Sequence, residues 1–250
     1  MKFKFDDKAH VYTLDGKRLY GVTSVLGVIN KPALVQWSAS EAVKYVDANL
    51  IWNADENEFL DKKLSVLKEA KVAHRKKKDG AADIGTSIHS MAEELIKGAM
   101  DEEGGYFLSG DEGHALTEKS TDIERKAITQ FVDWAVKNNA KFLASEKKMY
   151  SEKMWVAGTA DFICEIDGKK YLGDIKTTSG IYDKTPFLQC AAYRLMCEEM
   201  GEKGFNGSII IRLGKDGSFE EKYSYDFEGD SKGFLAALEL FKSLEAYKVK

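Results

Sequence analysis

The chain has 250 residues, 44% of them apolar and 31% charged, with a formal net charge of -4. That length suits one large domain carrying a helical region, and the acidic balance excludes a uniformly basic nucleic-acid coat, so any phosphate-binding surface must be local. Cys164, Cys190 and Cys197 are widely spaced with no CxxC pair, which points to a reducing setting without a disulfide framework or zinc site. No apolar run reaches membrane-span length and MKFKFDDKAH lacks a leader's apolar core, so a soluble, cytoplasmic protein is expected.

Lys2 to Tyr20 alternates apolar and polar residues and predicts a β-hairpin turning at Asp15-Gly16. Val22 to Ile29 predicts a short helix with Thr23-Ser24 as N-cap residues, ending before Pro32. From Ala33 to Trp52, Leu34, Trp37, Ala42, Tyr45 and Val46 recur at helical spacing, as core-facing residues do. Asp61 to Lys78 is a further helix with eight Lys or Arg residues from Lys62 onward, closing on Arg75, Lys76, Lys77 and Lys78. Such a run is either a solvated face or, in a net acidic chain, a phosphate-tracking surface.

Asp79 to Lys97 predicts a separate helix capped by Asp83 or Thr86, with Ile88, Met91, Ala92 and Leu95 inward and His89 and Glu93 sharing one side. His89 is then either a structural hydrogen-bonding residue or a ligand. Residues 98–119 are glycine-rich and acidic (Asp101, Glu102, Glu103, Asp111, Glu112), too long for an ordinary connection, and predict a flexible insertion that gates a site. A helix over Ser120 to Asn138 and a strand over Phe142 to Tyr150 follow. A symmetric turn at Glu152-Lys153 would set Glu146 opposite Thr159, on an acidic face or simply in solvent.

The stretch Gly158 to Tyr193 carries the chemistry. Asp167-Gly168 between alternating runs is a strong hairpin signal. Pairing symmetric about that turn puts Asp161 opposite Asp174 and Lys176 opposite Thr159, with Asp161, Asp174 and Lys176 on one face. Ala160, Phe162, Cys164, Tyr171 and Ile175 take the other face and can pack. Opposed carboxylates repel, and a divalent cation held by hard oxygen ligands removes the penalty; the competing account is a solvated outer face. A helix from Thr185 to Met200 then sets Gln189 and Tyr193 on one side beside Arg194. Strands over Asn206 to Leu213 and Phe219 to Phe227 and a closing helix over Asp230 to Lys248 complete a mixed α/β sheet flanked by helices.

Glu146, Gly158-x-x-Asp161, Asp174-Ile175-Lys176-Thr177 and Gln189-x-x-x-Tyr193 resemble the motif series of the PD-(D/E)xK nuclease superfamily, nearest its RecB-type and phage exonuclease branch. Gly85-Thr86-x-x-His89 and the opening GVTSVLGVINKPALVQWSA resemble other segments of that branch. The resemblance runs from about residue 20 to residue 195 and departs from the pattern at Thr159-Ala160, where a proline is usual. It implies a single restriction-endonuclease-like domain over 1–250: an N-terminal hairpin and helical region (1–80), the motifs (81–201), and closing strands and helix (202–250).

It further implies one or two Mg2+ or Mn2+ ions held by Asp161, Asp174 and the Ile175 carbonyl, with His89 and Glu146 completing or bordering the set, and no iron-sulfur cluster. Lys176 would orient or deprotonate the attacking water, and Gln189 and Tyr193 would position the strand or buttress Lys176. Arg75 to Lys78, Thr177 and Arg194 would contact DNA. The implied activity is hydrolysis of DNA, as an exonuclease on single- or double-stranded ends in recombination, replication or repair, with a single-strand annealing protein as natural partner. An endonuclease of the same fold, an inactive DNA-binding derivative, an RNA substrate and a homo-oligomer stay open at this point.

Overall fold

The computed structural model describes residues 2–50, 56–101, 105–107, 116–117 and 120–248, with the side chains of 56–61 and 247–248 also left undescribed. Its elements are β1 (Phe3–Asp6), β2 (Val11–Leu14), β3 (Lys17–Arg18), β4 (Tyr20–Gly21), α1 (Val22–Leu26), α2 (Pro32–Asn49), α3 (Glu56–Asp101), α4 (Asp122–Lys137), β5 (Lys141–Ser151), β6 (Val156–Ile166), β7 (Lys169–Lys176), α5 (Thr185–Glu199), β8 (Phe205–Leu213), β9 (Phe219–Ser224) and α6 (Phe227–Lys248). Their contacts gather into two compact units: residues 1–29 with 87–250, and residues 30–86.

The first unit holds a mixed six-stranded sheet ordered β4-β6-β7-β8-β9, with β5 on the other edge of β6. β6 and β7 form the expected antiparallel hairpin, with Phe162 facing Gly173 and Ile166 facing Lys169. Asp167 and Gly168 both have positive φ, 51° and 71°, which a two-residue hairpin needs to match the strand twist. β7 and β8 run parallel, so α5 serves as the crossover that parallel neighbours require. β8 and β9 are antiparallel.

Both sheet faces are covered. On one, Ile163 and Leu172 pack with Ala192, Tyr193 and Met196 of α5, Val25 of α1 and Phe234 of α6. On the other, Phe162 meets Phe131 and Trp134 of α4 and Phe142 of β5, with centroids 5.7–6.1 Å apart. Ala160, Phe162, Cys164, Tyr171 and Ile175, expected to pack, are all buried. Gly173 is small for a reason: a Cβ there would fall 2.0 Å from the Phe162 ring. α4 begins with a capping box, the Thr121 hydroxyl accepting from Glu124 N–H while the Glu124 carboxylate accepts from Thr121 N–H.

Several local expectations give way. The N-terminal hairpin is a three-stranded antiparallel sheet, because a turn after Asp6 sends the chain back before the Asp15-Gly16 turn. α1 has Gly21 at its N-cap without a side-chain cap, so Thr23 and Ser24 lie inside the helix. Thr86 likewise caps nothing: its hydroxyl donates to the Ala82 carbonyl within a helix that runs unbroken through Asp79-Gly80. A helical glycine costs only about 1 kcal/mol against alanine, and the helix buries apolar residues both before Gly80 (Val66, Ala70) and after it (Ile88, Ala92, Leu95, Ile96).

In the second unit α2 exposes Leu34, which is 56% accessible, and instead buries Glu41, whose carboxylate takes Lys77 at 2.8 Å and Lys44 at 3.2 Å. Trp52 lies outside the described residues. The segment 98–119 starts as the last turn of α3 to Asp101, and Phe107 packs against Phe131 and Phe142. Glu102, Glu103, Asp111 and Glu112 lie outside the described residues.

Candidate functional site

β6 and β7 stop pairing at Phe162 and Gly173, while β7 stays paired to β8 as far as Lys176. The edge of β7 beyond Gly173 is therefore open toward β6, and Asp161 reaches across: its Oδ2 accepts from the Ile175 N–H at 2.6 Å. A residue's N–H and C=O leave a strand on the same edge, so the Ile175 carbonyl faces that opening too.

Asp174 is 1% exposed, so the solvated-face account of these carboxylates does not hold. Its Oδ1 accepts from Lys176 Nζ at 2.9 Å and from Gln189 Nε2 at 3.0 Å. Its Oδ2 lies 2.7 Å from the same ammonium, but takes no hydrogen bond of acceptable angle. Gln189, on the second turn of α5, uses its whole amide here: Oε1 accepts from Lys176 at 3.2 Å, and Nε2 also donates to Tyr193 Oη at 2.8 Å. Those partners fix which end of the amide is which.

Burial raises the Asp161 carboxyl, Asp174 adds to the rise, and His89 and Lys176 work against it. Burial alone would lower Lys176, but Asp174 and Asp161 leave its ammonium above the ordinary lysine value. The Tyr193 phenol is pushed well up, by burial first and by Asp174 next.

His89 Nδ1 stands 3.4 Å from Asp161 Oδ2. Glu146 is not opposite Thr159, as a turn at Glu152-Lys153 would require: Lys148 is. The turn is centred one residue later, with Ser151 pairing Val156. It is held by the Glu199 carboxylate at the end of α5, which accepts from Ser151 Oγ and from the Glu152 and Lys153 N–H groups. Glu146 falls between the pairs Ser145–Phe162 and Lys147–Ala160, and so alongside Asp161. Its φ of 45° is left-handed, unusual for a non-glycine residue and common where function fixes a side chain. Burial, then the charges of Asp161 and Glu93, push its carboxyl up to about 7.

Asp161, Asp174, Lys176, Gln189, Tyr193, His89 and Glu146 thus gather on one side of the β6–β7 opening, with Thr177 following in the loop after β7. Arg194 does not join them: its guanidinium pairs with Glu198 at 2.7 Å and stacks 3.8 Å from the Phe227 ring centroid. In the second unit Lys76 pairs with Glu69 at 2.5 Å and Lys77 with Glu41. Among the described residues, no group of three or more His, Cys, Asp or Glu side chains forms a ready-made metal cage.

Tyr12 carries no signal in the sequence, and Gly158 enters there only through the resemblance, without the contact that requires a glycine. Tyr12 Oη shares a hydrogen bond of 2.8 Å with Thr159 Oγ1, and burial, then Glu146 and Asp7, raise its phenol despite that bond. Gly158 is the seat of the Tyr193 ring: a Cβ there would lie 2.5 Å from Tyr193 Cε1.

No family model matches the chain, and no curated protein does. Eighteen solved chains match. One, described as the crystal structure of SSO0001, is 16% identical with a TM-score of 0.28, covering 46% of this chain and 56% of that one. The chain thus spans little over half the length of that protein, and a similarity this low carries no argument about fold or chemistry. No helix among the described residues is long and apolar enough to cross a membrane.

Proposed function

We propose that this chain is a divalent-metal-dependent deoxyribonuclease of the PD-(D/E)xK type on a restriction-endonuclease-like sheet, hydrolysing phosphodiester bonds from DNA ends in the cytoplasm of a bacterial or phage-infected cell. The observation that carries the reading is the Asp174 carboxylate, buried with one oxygen short of a hydrogen bond, crowded by Asp161 and flanked by Lys176. A buried carboxylate pair is costly unless a cation compensates it, and one ammonium for two carboxylates leaves a negative remainder.

That donor set fits a hard divalent ion. Asp161, Asp174 and the Ile175 carbonyl would hold it, with His89 and Glu146 at its border. Two protein carboxylates suit Mg2+ or Mn2+, since magnesium sites usually keep waters and substrate phosphate oxygens in the remaining positions. When bound, such an ion supplies a nucleophilic water at neutral pH and neutralises charge on the phosphoryl and leaving oxygens. The chain's own residues do the positioning. Lys176 presents its ammonium to the attacking water and the phosphate, and Gln189 keeps it from folding back wholly onto Asp174. Tyr193, wedged against Gly158, holds the Gln189 amide in place.

Digestion of end-labelled single- and double-stranded DNA with Mg2+ or Mn2+, against a chelator control, tests the activity. Cleavage by the parent with at least a hundredfold loss in Asp174→Ala is expected, with DNA binding retained. No cleavage by the parent in either metal, or equal cleavage by Asp174→Ala, refutes the reading. Nicking of closed circular DNA would convert the assignment to an endonuclease. Pull-down of a single-strand annealing protein tests the partner that the resemblance implies.

A further inference from the structure

The loop between β7 and α5 joins the two elements that carry Lys176 and Gln189, and it displays Tyr182 with 80% of its surface exposed. No other large apolar side chain among the described residues is as exposed. The loop beneath it is pinned from several directions. Ile181 is buried with Phe187, Cys190 and Ile210. Lys222 Nζ donates to the Ile181 carbonyl at 2.9 Å, and Arg212 Nη1 reaches the Thr178 carbonyl at 3.5 Å. Asp183 Oδ1 then accepts from Thr185 N–H at 2.7 Å and ties the loop to the start of α5.

The ring itself is oriented. Tyr182 Oη donates to Ser179 Oγ at 3.1 Å, and the ring edge sits on Gly180, where a Cβ would come within 2.7 Å of Cζ. A rigid loop that leaves an aromatic ring in water does nothing for the core. A tyrosine with only two side-chain torsions, already oriented, gives contact area to a ligand at little entropic cost. The flat π-face of a nucleobase is the partner whose chemistry matches such a ring beside a phosphate-cleaving centre.

We propose that Tyr182 stacks on an unpaired base next to the phosphate held over Asp174 and Lys176, so that the substrate enters as a single-stranded or frayed end; this rests on the nuclease reading and deepens it. Tyr182 would be a positioning residue, setting the strand's register against Lys176 without touching the reacting atoms.

The test uses the full chain carrying Asp174→Ala and a single-stranded oligonucleotide with 2-aminopurine at its terminal position, reading fluorescence and affinity by titration. The parent of this series should quench the probe on binding. Adding Tyr182→Ala should abolish the quench and weaken binding about thirtyfold, the middle of the range for one base–aromatic stack, with an unchanged melting temperature. Tyr182→Trp and Tyr182→Phe should restore both, and Gly180→Ala, which displaces the ring, should behave as Tyr182→Ala does. Equal quench and affinity in Tyr182→Ala overturn the stacking proposal while leaving the nuclease reading intact. A parent that binds no DNA overturns both.

Discussion

Replacing Gly158 by alanine separates a packing role from a backbone one, because the added methyl meets one specific object. It would lie 2.5 Å from Cε1, 3.3 Å from Cδ1 and 3.4 Å from Cζ of Tyr193, a ring only 3% exposed. The ring must move, and overpacking of this kind costs about 1–3 kcal/mol. For a chain of this size that corresponds to a melting temperature lower by roughly 2–10 °C. The displacement does not stop at the ring. Tyr193 Oη accepts from Gln189 Nε2, which also holds Asp174 Oδ1, while Gln189 Oε1 accepts from Lys176. A shift on the order of 1 Å passed along that amide is enough to lower the rate by about a hundredfold. Calorimetry and initial rates on end-labelled DNA with saturating Mg2+ should show both losses. Tyr193→Phe should lose activity with a smaller stability cost, about 1 kcal/mol for one hydrogen bond. If Gly158→Ala melts and cleaves like the parent, the argued coupling from Gly158 through Tyr193 to Asp174 is wrong.

Glu146 makes a pH prediction in chelator. With its folded-state value at about 7 against an ordinary glutamate value of 4.5, the native state prefers the protonated form, so the parent loses stability as pH rises from about 4.5 to about 7. Glu146→Gln should match the parent below that window and exceed it by roughly 2–3 kcal/mol above, read as melting temperature against pH; a constant difference would refute the buried-charge argument. Replacing Arg75 to Lys78 by neutral residues should weaken DNA binding and reduce the slope of log affinity against log salt by about 0.7–0.9 per lost phosphate contact. An unchanged slope would return those residues to a solvated face, and since Lys77 pairs with the nearly buried Glu41, a lower melting temperature is expected either way.

The legible part of this protein was local. Asp15-Gly16 and Asp167-Gly168 both adopt the positive φ that a two-residue hairpin needs, and the second of them set the β6–β7 register that brings Asp161 toward Asp174. Period two then decided which side chains share a face, and helical spacing put Gln189 and Tyr193 together on α5. Residues close in sequence determine such features, so their backbone preferences suffice.

What the tertiary structure decided involves residues far apart in the chain. Glu146 moved beside Asp161 because Glu199, on another element, captures the Ser151–Lys153 turn; no symmetry of the loop itself reports that. The helical periodicity before and after Asp79-Gly80 carries straight through, since a glycine costs only about 1 kcal/mol in a helix that buries apolar residues on both sides of it. The identity of Gly158 and Gly173 follows from the rings of Tyr193 and Phe162 that lie over them, and steric exclusion by a distant side chain leaves no trace in local composition. Burial of Asp174 is of the same kind: the sequence supplies the carboxylate, and only the packing of α5 over the sheet takes it out of water.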